Sequence, residues 1–224
     1  MKKLGFTLAE VLVTLAIVGF IASVTLPTLQ VNVQKQQVAP ALLKAINTLE
    51  TANIYAIQEE GVRSLASLDS STTPNYFTAV SKYLDATEIT SIGDYYTFSL
   101  SKDTTLSGYT RYNLKDGTTI LYKGSITENS NIALKHGGKY WTMYIDTNGQ
   151  TKKPNALGRD VFLVYVDTKG AVIPYGGAAY KSYLKGDSIL WSTGCNKSGV
   201  SNVNACAGSV ADNNGVIYPY KTSS

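Results

Sequence analysis

One carboxylate in this sequence sits where carboxylates are costly. Glu10 lies near the start of a run that is apolar from Phe6 to Leu26 apart from small polar residues, and a charge held in hydrocarbon costs several kcal/mol unless it is paired or protonated. Glu10 therefore calls for a partner. Elsewhere the residues able to do chemistry are few. The chain has a single histidine, His136, and two cysteines, Cys195 and Cys206, so neither a His/Cys metal centre nor a histidine-based triad has the material it needs. His136, beside Gly137 and Gly138, reads as an exposed turn residue. With no cluster of acid, base and nucleophile in the pattern, an enzyme is not expected.

The apolar run must position Glu10, and its length says how. About 21 residues in a helix span about 30 Å, one bilayer core. Lys2 and Lys3 precede it, which by the positive-inside rule keeps the N-terminus cytoplasmic and sends the rest of the chain across the membrane. A cleaved secretory signal is the plain alternative. The run is longer than a signal core, no small-x-small site closes it, and a glutamate near its start is foreign to such signals. Of the 224 residues 44% are hydrophobic and 16% charged, with a formal net charge of +4; the lysines are scattered, so no phosphate-tracking stripe forms and nucleic acid is not an expected partner. In an exported domain Cys195 and Cys206 are expected to form a disulfide, whose closure of a loop of about 12 residues is worth roughly 2 to 3 kcal/mol.

The segment Gly5-Phe6-Thr7-Leu8-Ala9-Glu10 followed by an apolar helix resembles the N-terminal signal of type IV pilins and type II secretion pseudopilins. In that family the prepilin peptidase, a membrane aspartyl protease, cuts after the glycine and methylates the new phenylalanine amine. The resemblance implies a cut between Gly5 and Phe6 with the apolar segment retained. It also makes physical sense: the new ammonium on Phe6 and the carboxylate of Glu10 lie four residues apart on one helix face, and two such charges are tolerable in an apolar surrounding only when they meet. The resemblance further implies that they meet between subunits, Glu10 of an incoming chain facing the Phe6 amine of its neighbour.

Past the apolar run the pattern turns amphipathic, with Val38, Leu42, Ala45 or Ile46, Leu49, Ala52 and Ala56 at helical spacing, so the helix is expected to continue to about Glu60 with Gly61 as its C-cap. Gly19 and Pro27 read as a tolerated kink; similar pilins suggest local unwinding there when subunits pack. Pro40 reads as a bend or as the end of the first helical portion. Small residues Ala9, Ala16, Gly19 and Ala22 suit close helix packing.

In the remainder, a Ser/Thr-rich stretch leads to a short helix at 75–84. A hairpin follows, with strands at 109–115 and 118–123 about Asp116-Gly117, then strands at 139–146 and 160–167 and a turn at Asp167-Thr168-Lys169-Gly170. Between the last two strands, Asp146 to Asp160 resembles a DxNG...PNxxGxD segment of pseudopilin-like proteins in which related loops can hold calcium. Asp146, Asn148 and Asp160 are oxygen donors of the kind calcium takes, but EF-hand spacing is absent and Lys152, Lys153 and Arg159 oppose a cation, so a structural loop is preferred and no cofactor is expected. The tyrosines of the strands read as cross-strand packing residues rather than a sugar-binding surface. The Cys195–Cys206 segment resembles the C-terminal disulfide loop of many type IV pilins.

The fold class expected is α+β: a long N-terminal helix, half membrane and half amphipathic, packed on a small antiparallel sheet, as the pilin resemblance also implies. The expected divisions are a leader at 1–5, a membrane and filament-core helix at 6–27, its amphipathic continuation at 28–61 and an extracytoplasmic domain at 62–224. The function implied is that of a structural subunit of a type IV filament. The short leader and the DxNG...PNxxGxD loop favour a secretion pseudopilin over a surface pilin. The partners implied are prepilin peptidase, copies of itself and related subunits, inner-membrane assembly machinery and the bilayer. The expected location is the inner membrane, single-pass with a cytoplasmic N-terminus, then a periplasmic or surface filament. The competing reading is a membrane-anchored monomeric periplasmic binding protein.

Overall fold

The computed structural model describes residues 7–69, 76–89, 95–99, 102–124, 126–128, 139–152, 155–176, 195–196, 199–200 and 206–213. Gly5, Phe6 and His136 lie outside the described residues, as does residue 75, where the short helix was expected to begin.

The sequence Thr7-Leu8-Ala9-Glu10 is a capping box, and it starts helix α1, Leu8–Glu59. The Thr7 hydroxyl accepts from the Glu10 N–H at 3.3 Å while the Glu10 carboxylate accepts from the Thr7 N–H at 2.8 Å, so two N–H groups with no partner in the helix are satisfied reciprocally. The helix has 52 residues and is about 78 Å long at 1.5 Å per residue. It passes through Pro27 and Pro40 without ending; Pro40 is exposed, as is Gln36, whose carbonyl the missing N–H leaves to water. The helix closes after Glu60 on Gly61, with the Gly61 N–H on the Gln58 carbonyl at 3.2 Å and the Val62 N–H on Ile57 at 3.1 Å. Those two bonds form the Schellman motif.

A 3-10 turn at Leu65–Leu68 and the short helix α2, Tyr76–Ser81, lead into the strands. These are β1 (Ala86–Ile89), β2 (Tyr95–Ser99), β3 (Lys102–Leu106), β4 (Thr110–Leu114), β5 (Thr119–Tyr122), β6 (Thr127–Glu128), β7 (Lys139–Asp146), β8 (Val161–Asp167) and β9 (Val172–Pro174). The main sheet is antiparallel throughout, in the order β1-β4-β5-β7-β8-β9, with β6 also on β7. From β4 to β9 it is the meander that the short connections imply. β2 and β3 form a separate hairpin. The two-residue strands β10 (Cys195–Asn196) and β11 (Gly199–Val200) pair with each other, and helix α3, Cys206–Asn213, follows.

The two faces of the sheet are used differently. Trp141, Met143 and Ile145 of β7 and Phe162, Val164 and Val166 of β8 join Ile120, Tyr122 and Val172 in one core with Leu42, Ile46 and Leu49 of α1. Alternate residues, Leu121, Tyr144, Val161 and Leu163, form a second apolar cluster with Leu106 and Leu157. Strands β7 and β8 are thus buried on both faces, which explains why their sequences read as almost continuous apolar runs. Among the described residues, tyrosines pack across the sheet edge-on in the pairs Tyr109–Tyr144, Tyr140–Tyr165 and Tyr165–Tyr175 at centroid separations of 5.5, 5.0 and 5.8 Å.

Candidate functional site

Among the described residues, nothing packs on the apolar surface that α1 presents over Leu8–Thr25. Over Leu8–Thr25 none of the helix is buried, and Leu8 and Phe20 are 82% and 72% exposed. A continuous apolar face of this size is foreign to a monomer in water. Its few hydroxyls are turned onto the helix itself: Thr14 donates to the Val11 carbonyl at 2.9 Å, Ser23 to Phe20 at 2.7 Å and Thr25 to Ile21 at 2.9 Å. Such bonds let a polar residue lie in lipid or against another helix without an unmet donor. At the tip, Glu10 Oε2 accepts both the Thr7 N–H and, at 2.9 Å, the Thr7 hydroxyl. The carboxylate is held at the helix N-terminus, where the dipole favours an anion. Gly19 stands in open space on this half.

The second half of α1 is anchored by a turn and a chain of buried polar groups. The β8–β9 turn closes through the Asp167 N–H on Ala171 at 3.0 Å and the Gly170 N–H on Asp167 at 3.1 Å. The side chain of Asp167 accepts from the N–H groups of Lys169 and Ala171, both at 2.9 Å. Gly170 then accepts at its carbonyl from Asn53 Nδ2 at 2.9 Å, and Val172 donates its N–H to Glu50 Oε1 at 2.9 Å. Burial pushes the Glu50 carboxyl above its ordinary range, against the Val172 hydrogen bond. Thr168 accepts from the Leu65 N–H and the Ser64 hydroxyl, each at 3.0 Å. From Asn53 the network runs on: the Tyr76 hydroxyl donates to Asn53 Oδ1 at 2.8 Å, the Tyr76 ring stacks on Trp141 at 4.1 Å, and Trp141 Nε1 donates to Asp69 Oδ2 at 2.6 Å. The Tyr76 hydroxyl is fully buried and driven well above its usual range by that burial.

The loop after β7 brings Asp146, Asn148 and Asp160 together. Asp146 Oδ1 accepts from the N–H groups of Asn148 and Gly149 at 3.0 and 2.9 Å. Asp160 accepts from the N–H groups of Asn155 and Ala156 at 2.8 and 2.6 Å, and from Asn148 Nδ2 at 3.3 Å. The carboxylates brace the main chain of the loop. Asn148 Oδ1 and Asn155 Oδ1 are buried there without a hydrogen-bond partner, yet among the described residues no group of three His, Cys, Asp or Glu is placed to hold a metal. Burial, with a smaller push from the charge of Asp146, raises the Asp160 carboxyl to about 6 against the pull of its N–H donors.

Cys195 and Cys206 are joined, with Cα atoms 5.0 Å apart. Cys206 opens α3, and beyond the disulfide Ala207 and Val210 of that helix are buried in the main core while the Gly208 N–H donates to the Tyr175 carbonyl at 2.8 Å.

The exposed half-helix coincides with the part of the chain that matches a known sequence motif. Residues 1–26 match the prokaryotic N-terminal methylation motif. The N-terminus thus carries the signature of type IV pilins and pseudopilins, a family of structural subunits. The motif ends one residue beyond the unburied stretch Leu8–Thr25, and together the two fit a membrane-anchored precursor. No curated protein and no solved structure gives a significant match to the chain. Glu10 lies within the matched residues. The matched residues stop short of Asn53, Glu50 and Asp69, residues of the anchor that the sequence reading missed, and of Gly170, which that reading placed in its turn but not against the helix. Asn53 had a signal, a polar residue at core-facing spacing within an apolar stripe, and Thr7 had one in the T-x-x-E pattern of a capping box.

Proposed function

We propose that this chain is a structural subunit of a type IV filament, made as a membrane precursor, cut by prepilin peptidase between Gly5 and Phe6, methylated on the Phe6 amine and polymerised through the first half of its helix. The observation that carries the reading is the apolar, wholly unburied half-helix tipped by Glu10 inside the methylation motif. In lipid that surface is satisfied by acyl chains; in a filament, by the same surface of other copies. The arrangement is head-to-tail, so it extends rather than closes. Glu10 is the assembly residue, meeting the Phe6 amine of a neighbour, and Gly19 and Pro27 are the points where the helix yields as subunits pack. The short leader and the DxNG...PNxxGxD loop support a secretion pseudopilin over a surface pilin. The role is structural, not catalytic.

Intact-mass and N-terminal peptide spectrometry on the protein from its native membrane tests the processing. The expected result is a chain that begins with N-methylated Phe6; retention of Met1 to Gly5, or cleavage after Ala22 or later, sinks the reading. Glu10→Ala then tests assembly. It is expected to leave the precursor in the membrane and to abolish its cross-linking into multimers, whereas an anchored monomeric binder is indifferent to the change.

A further inference from the structure

We infer that α3 is a redox-gated cover on the head: it docks while Cys195 and Cys206 are joined, lifts when they are not, and in the docked position shields their bond from thiol exchange. The inference concerns the head alone and holds whether or not the chain polymerises.

It starts from how little α3 brings to its own stability. The helix has 8 residues, Cys206–Asn213, and isolated helices shorter than about 12 to 15 residues are marginal in water even when built from good helix formers. This one is not so built: Gly208, Ser209, Val210, Asp212 and Asn213 all rank below alanine and the straight-chain residues in helix propensity. Its packing side chains are small. Ala207 and Val210 join the main core, to which the sheet and α1 bring Trp141, Met143, Phe162, Leu42 and Leu49. Contacts of that size do not by themselves offset the entropy lost in ordering eight residues. The segment needs a tether.

The tether sits in its first turn. Cys206 opens the helix and is joined to Cys195 of β10, and the Cys195 carbonyl accepts from the Ser209 hydroxyl at 2.8 Å. Just past the end of β9, the Tyr175 carbonyl accepts from the Gly208 N–H at 2.8 Å. Gly208 and Ser209 are near neighbours of Cys206, so the covalent link keeps within reach what these hydrogen bonds then fix. With the link open, a free segment has to find the same bonds at the full cost of its closure.

The cover also hides its own fastening. Cys206 is 0% and Cys195 2% exposed. Exchange requires a thiolate to attack one sulfur of the disulfide and depends on access, so α3, which carries one of the two sulfurs, has to lift before a reductant can act. In the reduced chain α3 is lifted and both thiols are open to an oxidant. Oxidation joins the two Sγ atoms with the loss of two protons and two electrons, which a disulfide-bearing oxidant takes up as it leaves as two thiols. Each state thus maintains itself. Reduced, the head is open and shows the core under Ala207 and Val210; oxidised, it is closed and the bond is out of reach.

Hydrogen exchange read by mass spectrometry on the full-length protein in detergent micelles tests the gate. In Cys195→Ser/Cys206→Ser, the amides of α3 are expected to exchange at the rate of an unfolded chain while those of β7 and β8 stay slower by orders of magnitude. Protection kept in α3, or lost from β7 and β8 along with it, overturns the inference. The shielding is read separately on the unaltered protein with dithiothreitol. Without denaturant the disulfide is expected to open at least about a hundredfold more slowly than in the same protein unfolded in urea, and equal rates overturn the inference whatever the variant does.

Discussion

Two hairpin loops in this protein are the same loop in different surroundings, and the pair separates backbone strain from packing at the anchor. In β4–β5 the Leu114 N–H meets the Thr118 carbonyl at 2.8 Å and the Gly117 N–H meets Leu114 at 3.0 Å; in β8–β9 Asp167, Gly170 and Ala171 repeat those two bonds at 3.0 and 3.1 Å. Gly117 has φ +91° and Gly170 φ +93°. Replacing either by alanine forces a side chain into a left-handed conformation, at about 1 to 2 kcal/mol. At Gly117 the new Cβ meets nothing within 4 Å, whereas at Gly170 it meets the Asn53 Cβ at 2.9 Å, with Ile57 Cδ1 at 3.8 Å. Asn53 is held by two hydrogen bonds and cannot swing aside, so Gly170→Ala adds the cost of overpacking, about 1 to 3 kcal/mol. The expected totals are about 1 to 2 kcal/mol for Gly117→Ala and about 2 to 5 for Gly170→Ala. At about 2 to 4 °C per kcal/mol for a chain of this size, Gly170→Ala should melt about 2 to 12 °C below its counterpart. Tryptophan fluorescence during thermal unfolding of the full-length variants in detergent reads this directly. Equal midpoints, or a lower one for Gly117→Ala, refute the claim that the β8–β9 turn is pressed onto the helix.

Three further outcomes follow from the head. The Asp160 carboxyl, raised to about 6 by burial, is favoured in its protonated form by folding, so its contribution to stability is complete below about pH 4 and lost as pH rises through about 6. With an unfolded value near 3.9 this amounts to at most roughly 3 kcal/mol, and urea midpoints across that window should lose this component in Asp160→Asn. Removing the disulfide in Cys195→Ser/Cys206→Ser opens a link of sequence separation 11 and is expected to cost about 2 to 3 kcal/mol, measured as a lowered urea midpoint with far-UV circular dichroism retained; an unchanged midpoint contradicts it. Because Asp146 and Asp160 already brace main-chain N–H groups, millimolar calcium is expected to leave the melting midpoint where it stands, and a clear rise would show that the loop takes the ion.

What the sequence disclosed follows the strength of local signals. β7 was legible to the residue, because a strand buried on both faces between turn residues leaves an almost continuous apolar run. The Asp116-Gly117 hairpin was legible from its turn chemistry, though the loop has three residues and only Gly117 takes a positive φ. The end of α1 at Gly61 was plain, while Pro40, which reads as a break, lies inside the helix because tertiary packing of the seam outweighs one missing N–H on the exposed side. β1 was hidden, since four residues with Thr87 and Glu88 among them become a strand only through pairing with β4. α3 was hidden by its Gly and Ser, which argue for a loop until Ala207 and Val210 are seen in the core. Of the site, Glu10 announced itself by being a carboxylate among apolar residues. Asn53 showed only as a polar residue in an apolar stripe, and its partner could not be read, because Gly170 is 117 residues away.

That separation also governs the order in which the molecule can be completed. At about 5 to 20 residues per second of synthesis, the interval between Asn53 and Gly170 is roughly 6 to 23 s. Throughout it the seam of α1 exists without the sheet that covers it. The meander is built from neighbours and can close on itself early, since local pairings are fast; the helix has to wait for β9. A newly made chain therefore passes through a stage in which β4 to β7 are paired while the amphipathic helix still lacks β9 and α3, and a chaperone or a lipid surface that holds the stripe from Ala39 to Ala56 during those seconds would guard it until they arrive.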